Sequence, residues 1–274
     1  MHNIAANGAD IPALGLGTWT LKGAECTDMV AEALNLGYRH VDTATSYDNE
    51  EAVGAGLRAS GVARGDFFLT TKIWHTDLAP RDFRRSTEES LKRLGVDHVD
   101  LLLIHWPNPQ VPLADTVGAL NEARTKGLTR HIGVSNFPTA LLAEATGLSD
   151  APLAVDQVEY HPYLDQSKIH AACRAAGMAM VSYCPLHRGG DLLSEKPILK
   201  AAKAHGRTPG QIVLRWHVQQ EGVVAIPRTT RKARLKENLA VFDFALSADE
   251  MKAISALARD GSRICDFRFS PKWD

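Results

Sequence analysis

The sequence predicts an α/β fold: a closed (β/α)8 barrel with a β-hairpin before it and an extra helix and tail after it. Three observations carry that expectation. Short apolar runs of strand character alternate with amphipathic helical patterns along all 274 residues. Parallel neighbours need a crossover connection, which the intervening helical patterns supply. No Pro/Gly/Ser-rich linker or composition shift divides the chain, so residues 1–274 read as one domain, and barrels of this kind take about 250 residues.

Taken in order, Asn3–Ile11 reads as a hairpin turned at Asn7-Gly8 and placed to plug the barrel floor. Strands are expected at Leu14–Gly17, His40–Asp42, Phe68–Lys72, Val99–His105, Thr129–Ser135, Val155–Glu159, Ala179–Tyr183 and Val223–Ile226. Helical patterns cover Ala24–Leu36, Arg81–Leu94, Leu113–Lys126, Ser167–Ala175 and Thr208–Gln219. Ser247–Leu257 opens with the capping pattern of Ser247 and Glu250 and reads as the extra helix. The tail Arg263–Asp274 carries Phe267, Phe269 and Trp273. An open doubly wound sheet is the competing architecture, and it would carry G-x-G-x-x-G after its first strand. Here Gly15-Leu16-Gly17 runs into Thr18-Trp19-Thr20 without the third glycine. The repeat count favours the TIM barrel.

A net charge of −1 gives no global field for nucleic acid or an anionic membrane. Cys26, Cys173, Cys184 and Cys265 form no C-x-x-C pair, which argues against a zinc site or a disulfide framework and fits a reducing compartment. Met1-His2-Asn3-Ile4 lacks the basic start and apolar run of a signal peptide. No stretch reaches the roughly 18 apolar residues of a membrane span. The expectation is a cytoplasmic protein without a metal.

In such barrels the active site lies at the strand C-termini. Asp42 ends the second strand, with Tyr47 five residues on; Lys72 ends the third and His105 the fourth. Each has a plain alternative: an Asp42–Lys72 structural ion pair, an interfacial tyrosine, a core histidine. Their joint placement on one rim in successive units is what favours a catalytic tetrad.

These residues carry a resemblance. Gly37-Tyr38-Arg39-His40-Val41-Asp42-Thr43-Ala44 with Tyr47-Asp48-Asn49-Glu50 resembles the first signature of the aldo-keto reductases. Thr71-Lys72, Asp100–Pro107, Gly133-Val134-Ser135-Asn136-Phe137 and Ile226–Asn238 resemble later segments of the family, in order, from about Ile11 to the C-terminus. The ending Ser270-Pro271-Lys272-Trp273-Asp274 and the short loops are similar to the small bacterial branch that includes 2,5-diketo-gluconate and methylglyoxal reductases.

The resemblance implies an NADPH-dependent reductase of small aldehydes and ketones, with Tyr47 as general acid. Lys72⁺ is expected to lower the phenol's ordinary pKa of about 10 while Asp42 holds the lysine. His105 is expected to orient the carbonyl. It further implies that Tyr183 stacks on the nicotinamide and that Ser135, Asn136 and Gln157 hold its carboxamide; Ser135-Asn136 also fits a helix N-cap. Thr18, Trp19, Pro185, Leu186, Ile226 and Thr230 complete the implied cofactor contacts, and Arg188 is assigned to the pyrophosphate or to solvent. Arg228, Thr229 and Arg234 are implied to grip the 2′-phosphate, with Glu237 and Asn238 near the adenine.

Relatives commonly carry lysine at Arg228; arginine keeps the charge, so NADPH is expected with NADH as a poorer alternative. Cys184 replaces a residue that is usually small. Trp19, Trp74, Trp106 and Phe137, with His105, are the expected substrate walls, and a monomer is expected. Two rival readings are a subunit that binds NADPH without turnover and a structural protein derived from the fold. Both would tolerate losses in the tetrad, and all four members are present.

Overall fold

The computed structural model describes residues 1–274. The chain opens with an antiparallel hairpin, β1 (Asn3–Ala6) and β2 (Ala9–Pro12). Its turn residues Asn7 and Gly8 both have positive φ, 45° and 87°, as a tight two-residue hairpin requires. Asn7 Nδ2 donates to the carbonyls of Leu153 (2.7 Å) and Ala176 (3.0 Å). Ala6, Ala9 and Ile11 join Phe68, Leu101, Leu103, Ala154 and Ala179 in one buried cluster. The hairpin therefore plugs the barrel, as the sequence predicts.

Eight parallel strands follow in sequential order: β3 (Leu16–Gly17), β4 (His40–Asp42), β5 (Phe68–Ile73), β6 (Val99–Ile104), β7 (Thr129–Ser135), β8 (Leu153–Glu159), β9 (Ala179–Tyr183) and β10 (Val223–Ala225). The seam between last and first closes through a parallel bridge from Leu14 to Ala225. Gly15 N donates to Ala225 O at 2.9 Å, and Gly17 N to Pro227 O at 3.1 Å. A Cβ on Gly15 would lie 2.8 Å from the His40 ring, and one on Gly17 would lie 2.7 Å from Ile226 O. The G-x-G is thus a close-approach device at the seam, which accounts for its missing third glycine.

Around the strands lie α1 (Gly23–Leu36), α2 (Glu50–Ala59), α3 (Pro80–Leu94), α4 (Leu113–Thr125), α5 (Thr139–Leu148), α6 (Ser167–Ala175), α7 (Lys196–His205), α8 (Pro209–Val218) and α9 (Lys232–Leu239). The extra helix α10 (Ala248–Ser255) starts with the Ser247/Glu250 capping box that its sequence predicts. Periodicity missed α2, α5 and α7. α5 buries only Leu142 and Ala145, so it shows no apolar stripe. α2 packs through Gly54 and Gly56, where a Cβ would meet Leu94 O at 2.3 Å and Thr27 O at 2.6 Å, so small residues stand where a stripe would be. No helix is long and apolar enough to cross a membrane.

One buried carboxylate stitches α2, β5 and α3 together behind the rim. Glu50 accepts from Thr71 Oγ1 (2.7 Å), Ser90 Oγ (2.5 Å) and Arg93 Nε and Nη2 (2.9 and 2.7 Å). Replacing Glu50 by alanine leaves the buried Thr71 and Ser90 hydroxyls without this acceptor and Arg93 with only the longer contact to Glu89 (4.0 Å), and urea unfolding should show a loss of about 3 kcal/mol. A loss under about 1 kcal/mol, the range of an exposed pair, would mean that Arg93 turns freely to water.

Candidate active site

The tetrad assembles at the C-terminal mouth of the barrel. β4 delivers Asp42, β5 delivers Lys72, and Tyr47 sits on the single 3-10 turn Thr45–Tyr47 that follows β4. Lys72 Nζ donates to Asp42 Oδ1 (2.5 Å), to Thr43 O (2.8 Å) and to Tyr47 Oη (3.3 Å). His105, just past β6, lies edge-on to Tyr47 with ring centroids 5.6 Å apart. Its ring also packs edge-on against Trp74 at 5.1 Å. The Tyr47 turn is pinned from below. Thr45 Oγ1 donates to Lys72 O (3.0 Å), and Lys22 Nζ donates to the Tyr47 carbonyl (2.6 Å). The sequence reading passed over Thr45, which lies within the tyrosine's own motif, and Lys22, for which no local signal exists.

The second set of candidates forms a chain of hydrogen bonds onto the tetrad. Gln157 Nε2 donates to Asp42 Oδ2 at 2.8 Å, filling the carboxylate oxygen that Lys72 leaves free. Ser135 Oγ donates to Gln157 O (2.7 Å), Asn136 Nδ2 to His105 O (2.9 Å), and Tyr183 Oη to Asn136 Oδ1 (2.7 Å). Asn136 has φ 65°, and α5 starts only at Thr139 after Pro138, without a side-chain cap. The helix-cap alternative for Ser135-Asn136 is therefore overturned: these side chains face the barrel mouth.

Further round the rim, buried Thr18 donates its hydroxyl to Asp42 O at 3.0 Å, and Ile226 lies in the barrel-interior cluster. Pro185 O accepts from His217 Nε2 at 3.1 Å, and Leu186 packs on the outer core. Trp19 is 45% exposed, and the Arg188 guanidinium sits 5.4 Å from its ring. Arg228, Thr230, Arg231, Lys232 and Arg234 are all exposed at the start of α9. Arg228 is already engaged, donating from Nε to Trp19 O (3.2 Å) and from Nη2 to the Thr20 hydroxyl. Thr229 Oγ1 accepts from Arg231 N at 3.0 Å. Glu237 accepts from Thr208 Oγ1 at 2.5 Å, and Asn238 is buried.

Among the expected substrate walls, Trp74 is half-buried beside His105. Trp106 is buried, with Phe267, Phe269 and Trp273 edge-on at 5.7, 5.4 and 6.0 Å. Phe137 is fully buried and borders, with Leu164, Ile169 and Trp273, a cavity of about 460 Å³ between the β8–α6 loop and the tail. The tail thus folds back over Trp74 and Trp106, which its sequence did not announce.

The electrostatics reverse one expectation. Tyr47 was expected to be acidified by Lys72⁺; instead burial, then the Asp42 charge and the nearby thiols of Cys184 and Cys265, push its phenol well above the usual tyrosine value. Part of the ring surface is open, but the hydroxyl itself points inward to Lys72. Burial also lowers Lys72, with Asp42 opposing that shift. Burial, then the charges of Lys72 and His75, hold His105 well below the usual imidazole value. At neutral pH the site therefore presents a protonated Tyr47 and a neutral His105.

Comparison with known proteins identifies the family. The profile of the Aldo/keto reductase family matches residues 13–259. The chain belongs to this family. The methylglyoxal reductase DkgB of Escherichia coli O157:H7 is 40% identical over 267 residues, covering 96% of this chain and 99% of that protein. The glyoxal reductase of Bacillus subtilis (strain 168) is 40% identical over 255 residues, covering 93% and 91%. A crystal structure provisionally described as a 2,5-diketo-D-gluconic acid reductase B superposes with a TM-score of 0.98 at 49% identity, covering 100% of this chain and 98% of the other. The Bombyx mori aldo-keto reductase, solved in complex with NADP, superposes with a TM-score of 0.87 at 32% identity, covering 93% and 92%.

The protonation states carry a pH prediction. A raised Tyr47 keeps its proton as pH climbs through neutrality, and a lowered His105 stays neutral as pH falls toward it. Reduction at saturating cofactor should therefore show no titration between about pH 6 and 8. A unit slope of log kcat in that interval would place a different acid in the site.

Proposed function

We propose that this chain reduces small aldehydes and ketones with NADPH, acting as a one-domain monomer in the cytoplasm, with NADH as a poorer alternative. The observation that carries the reading is Lys72 Nζ in hydrogen-bond contact with both Asp42 and Tyr47, opposite a neutral His105. The four free thiols suit a reducing compartment. The donor set fits the cofactor. Exposed cations with two hydroxyls at the start of α9 suit a 2′-phosphate. Ser135, Asn136 and Gln157 suit an amide, and the Tyr183 ring offers a flat face for the nicotinamide. When bound, the nicotinamide supplies the hydride to the carbonyl carbon.

Everything else falls to the chain. Tyr47 Oη, still protonated, donates its proton to the carbonyl oxygen as that oxygen gains charge. Lys72⁺ stabilises the resulting phenolate, which recovers a proton from solvent. Asp42 anchors Lys72, so the ammonium faces the phenol without a rotamer search. His105 donates an N–H to the substrate oxygen and fixes the carbonyl's orientation. The activities named for the relatives favour methylglyoxal-like dicarbonyls, with 2,5-diketo-gluconate and related keto-sugar acids as the second substrate class. A binding subunit without turnover is disfavoured by a tetrad that is complete, with Asp42, Lys72 and Tyr47 hydrogen-bonded and His105 packed on the tyrosine.

Two substitutions test this reading. Tyr47→Phe removes the proton and little else, so NADPH oxidation with methylglyoxal should fall by about 10²–10⁴-fold while NADPH affinity stays near that of the parent. Turnover within a fewfold of the parent would sink the assignment. Replacing Arg228 and Arg234 together by neutral residues should weaken NADPH by roughly two to four decades and leave NADH nearly unchanged, since each charge-assisted bond contributes about 1.5–3 kcal/mol. Solvent exposure pushes that loss toward the lower figure. Equal weakening of both cofactors would instead assign Arg228 to the barrel seam, where it already holds Trp19 and Thr20.

A further inference from the structure

A second buried carboxylate near the mouth takes no part in the chemistry above. Glu159 ends β8, is fully buried, and pairs in register with Tyr183. Its Oε1 accepts from Ile264 N (2.8 Å) and from the fully buried His161 Nε2 (2.9 Å), and its Oε2 accepts from Cys265 N (2.7 Å). Ile264 and Cys265 lie more than a hundred residues further along, at the start of the tail. A segment with no ladder of its own has had two consecutive amides taken up by one charge. Such charge-assisted bonds are about twice as strong as neutral ones. Burial raises the Glu159 carboxyl, but His161 and the two amides outweigh it and hold the group below the usual glutamate value, so it is ionised at neutral pH. Nearby, Ser262 Oγ bonds to Tyr163 O, and the Arg259 guanidinium lies 3.7 Å from the Tyr163 ring centroid. The start of the tail is thus fastened to the loop after β8.

Four residues beyond Cys265, Phe269 lies edge-on to Trp74 (5.5 Å) and Trp106 (5.4 Å) and stacks on His75 (4.3 Å). Trp74 in turn contacts His105. We infer that Glu159 is a positioning residue that clamps the tail as the outer wall of the carbonyl pocket and so sets which carbonyl substituents the pocket favours. This rests on the carbonyl-reductase reading. On this inference a three-carbon dicarbonyl held at His105 needs no contact with Phe269, whereas an aryl substituent lying along Trp74 is the one that would meet it. The clamp therefore acts on aromatic aldehydes and leaves methylglyoxal alone.

Glu159→Gln keeps the size but turns one acceptor toward the tail into an N–H donor. Steady-state kinetics at saturating NADPH with methylglyoxal and with 4-nitrobenzaldehyde read the consequence. The variant should raise KM for 4-nitrobenzaldehyde about tenfold or more, the scale of one unsatisfied buried group, with both parameters for methylglyoxal within about twofold. Hydrogen exchange at the Ile264 and Cys265 amides should accelerate by about tenfold or more in the same protein. Equal losses for both aldehydes, or unchanged exchange, would overturn the clamp. If Glu159→Gln does not fold, Phe269→Ala must shift the same KM ratio between the two aldehydes; an unchanged ratio removes the tail from the pocket wall. A parent that oxidises NADPH with neither aldehyde refutes the reductase reading, while the exchange measurement still decides whether Glu159 holds the tail.

Discussion

The buried ion pair of Asp42 and Lys72 is the constraint around which the mouth of this barrel is built. Two charges with side chains almost wholly removed from water cost several kcal/mol each unless every donor and acceptor finds a partner. Here they do: Asp42 takes Lys72 on one oxygen and Gln157 on the other, and Lys72 divides its donors among Asp42, Thr43 O and Tyr47. Only a closed sheet can deliver these groups, since Asp42 and Lys72 come from adjacent strands and Gln157 arrives from across the barrel. The seam glycines Gly15 and Gly17 are therefore part of the electrostatics, because they let the last strand approach the first and complete the wall.

The same pair explains why Tyr47 is a protonated acid rather than a waiting phenolate. Burial leads, the Asp42 charge adds to it, and a lysine already paired with Asp42 offers the phenol little net positive field to oppose them. On the proposed mechanism the proton stays on Tyr47 until charge develops on the substrate oxygen, and Lys72 is then close enough to hold the phenolate that forms. On the same proposal His105, kept neutral by burial and by Lys72, orients the oxygen without competing as an acid. Burial leads both shifts, and the pair's charges add to it: Asp42 on the tyrosine, Lys72 on the histidine.

The legible and hidden parts of this molecule divide by the range of the interactions that define them. Strands such as Val99–Ile104 are buried at every position, and an apolar run broken only by Asp100 shows in any window of sequence. Asp42, Lys72 and His105 were legible because a barrel puts strand ends on one face, so position along the chain reports position in space. Gly15-Leu16-Gly17 carries no ligand meaning until Ala225 and Ile226 are seen beside it. The contacts of Glu50 and Glu159 gave no signal, since Ser90 and Arg93 lie about forty residues from the first, and Ile264 and Cys265 more than a hundred from the second. The sign of the Tyr47 shift is hidden for a related reason: it depends first on how deeply the phenol is buried and then on how near the Asp42 charge lies, which are matters of depth and distance and not of residue type.

The cofactor end couples back to the barrel through Trp19. Its carbonyl accepts from Arg228 beyond β10, and its ring faces Arg188 beyond β9. The loops after β3, β9 and β10 therefore meet at one exposed tryptophan beside the seam that closes the barrel. An anion drawn to Arg228 must compete with Trp19 O and Thr20 for its donors. The net gain from a phosphate there is the difference between two sets of hydrogen bonds, smaller than the charge alone would give. Arg234 has no such prior engagement on the exposed start of α9. On the proposed cofactor assignment, discrimination between phosphorylated and unphosphorylated cofactor would therefore rest more heavily on Arg234, with Arg228 dividing its effect between the ligand and the seam.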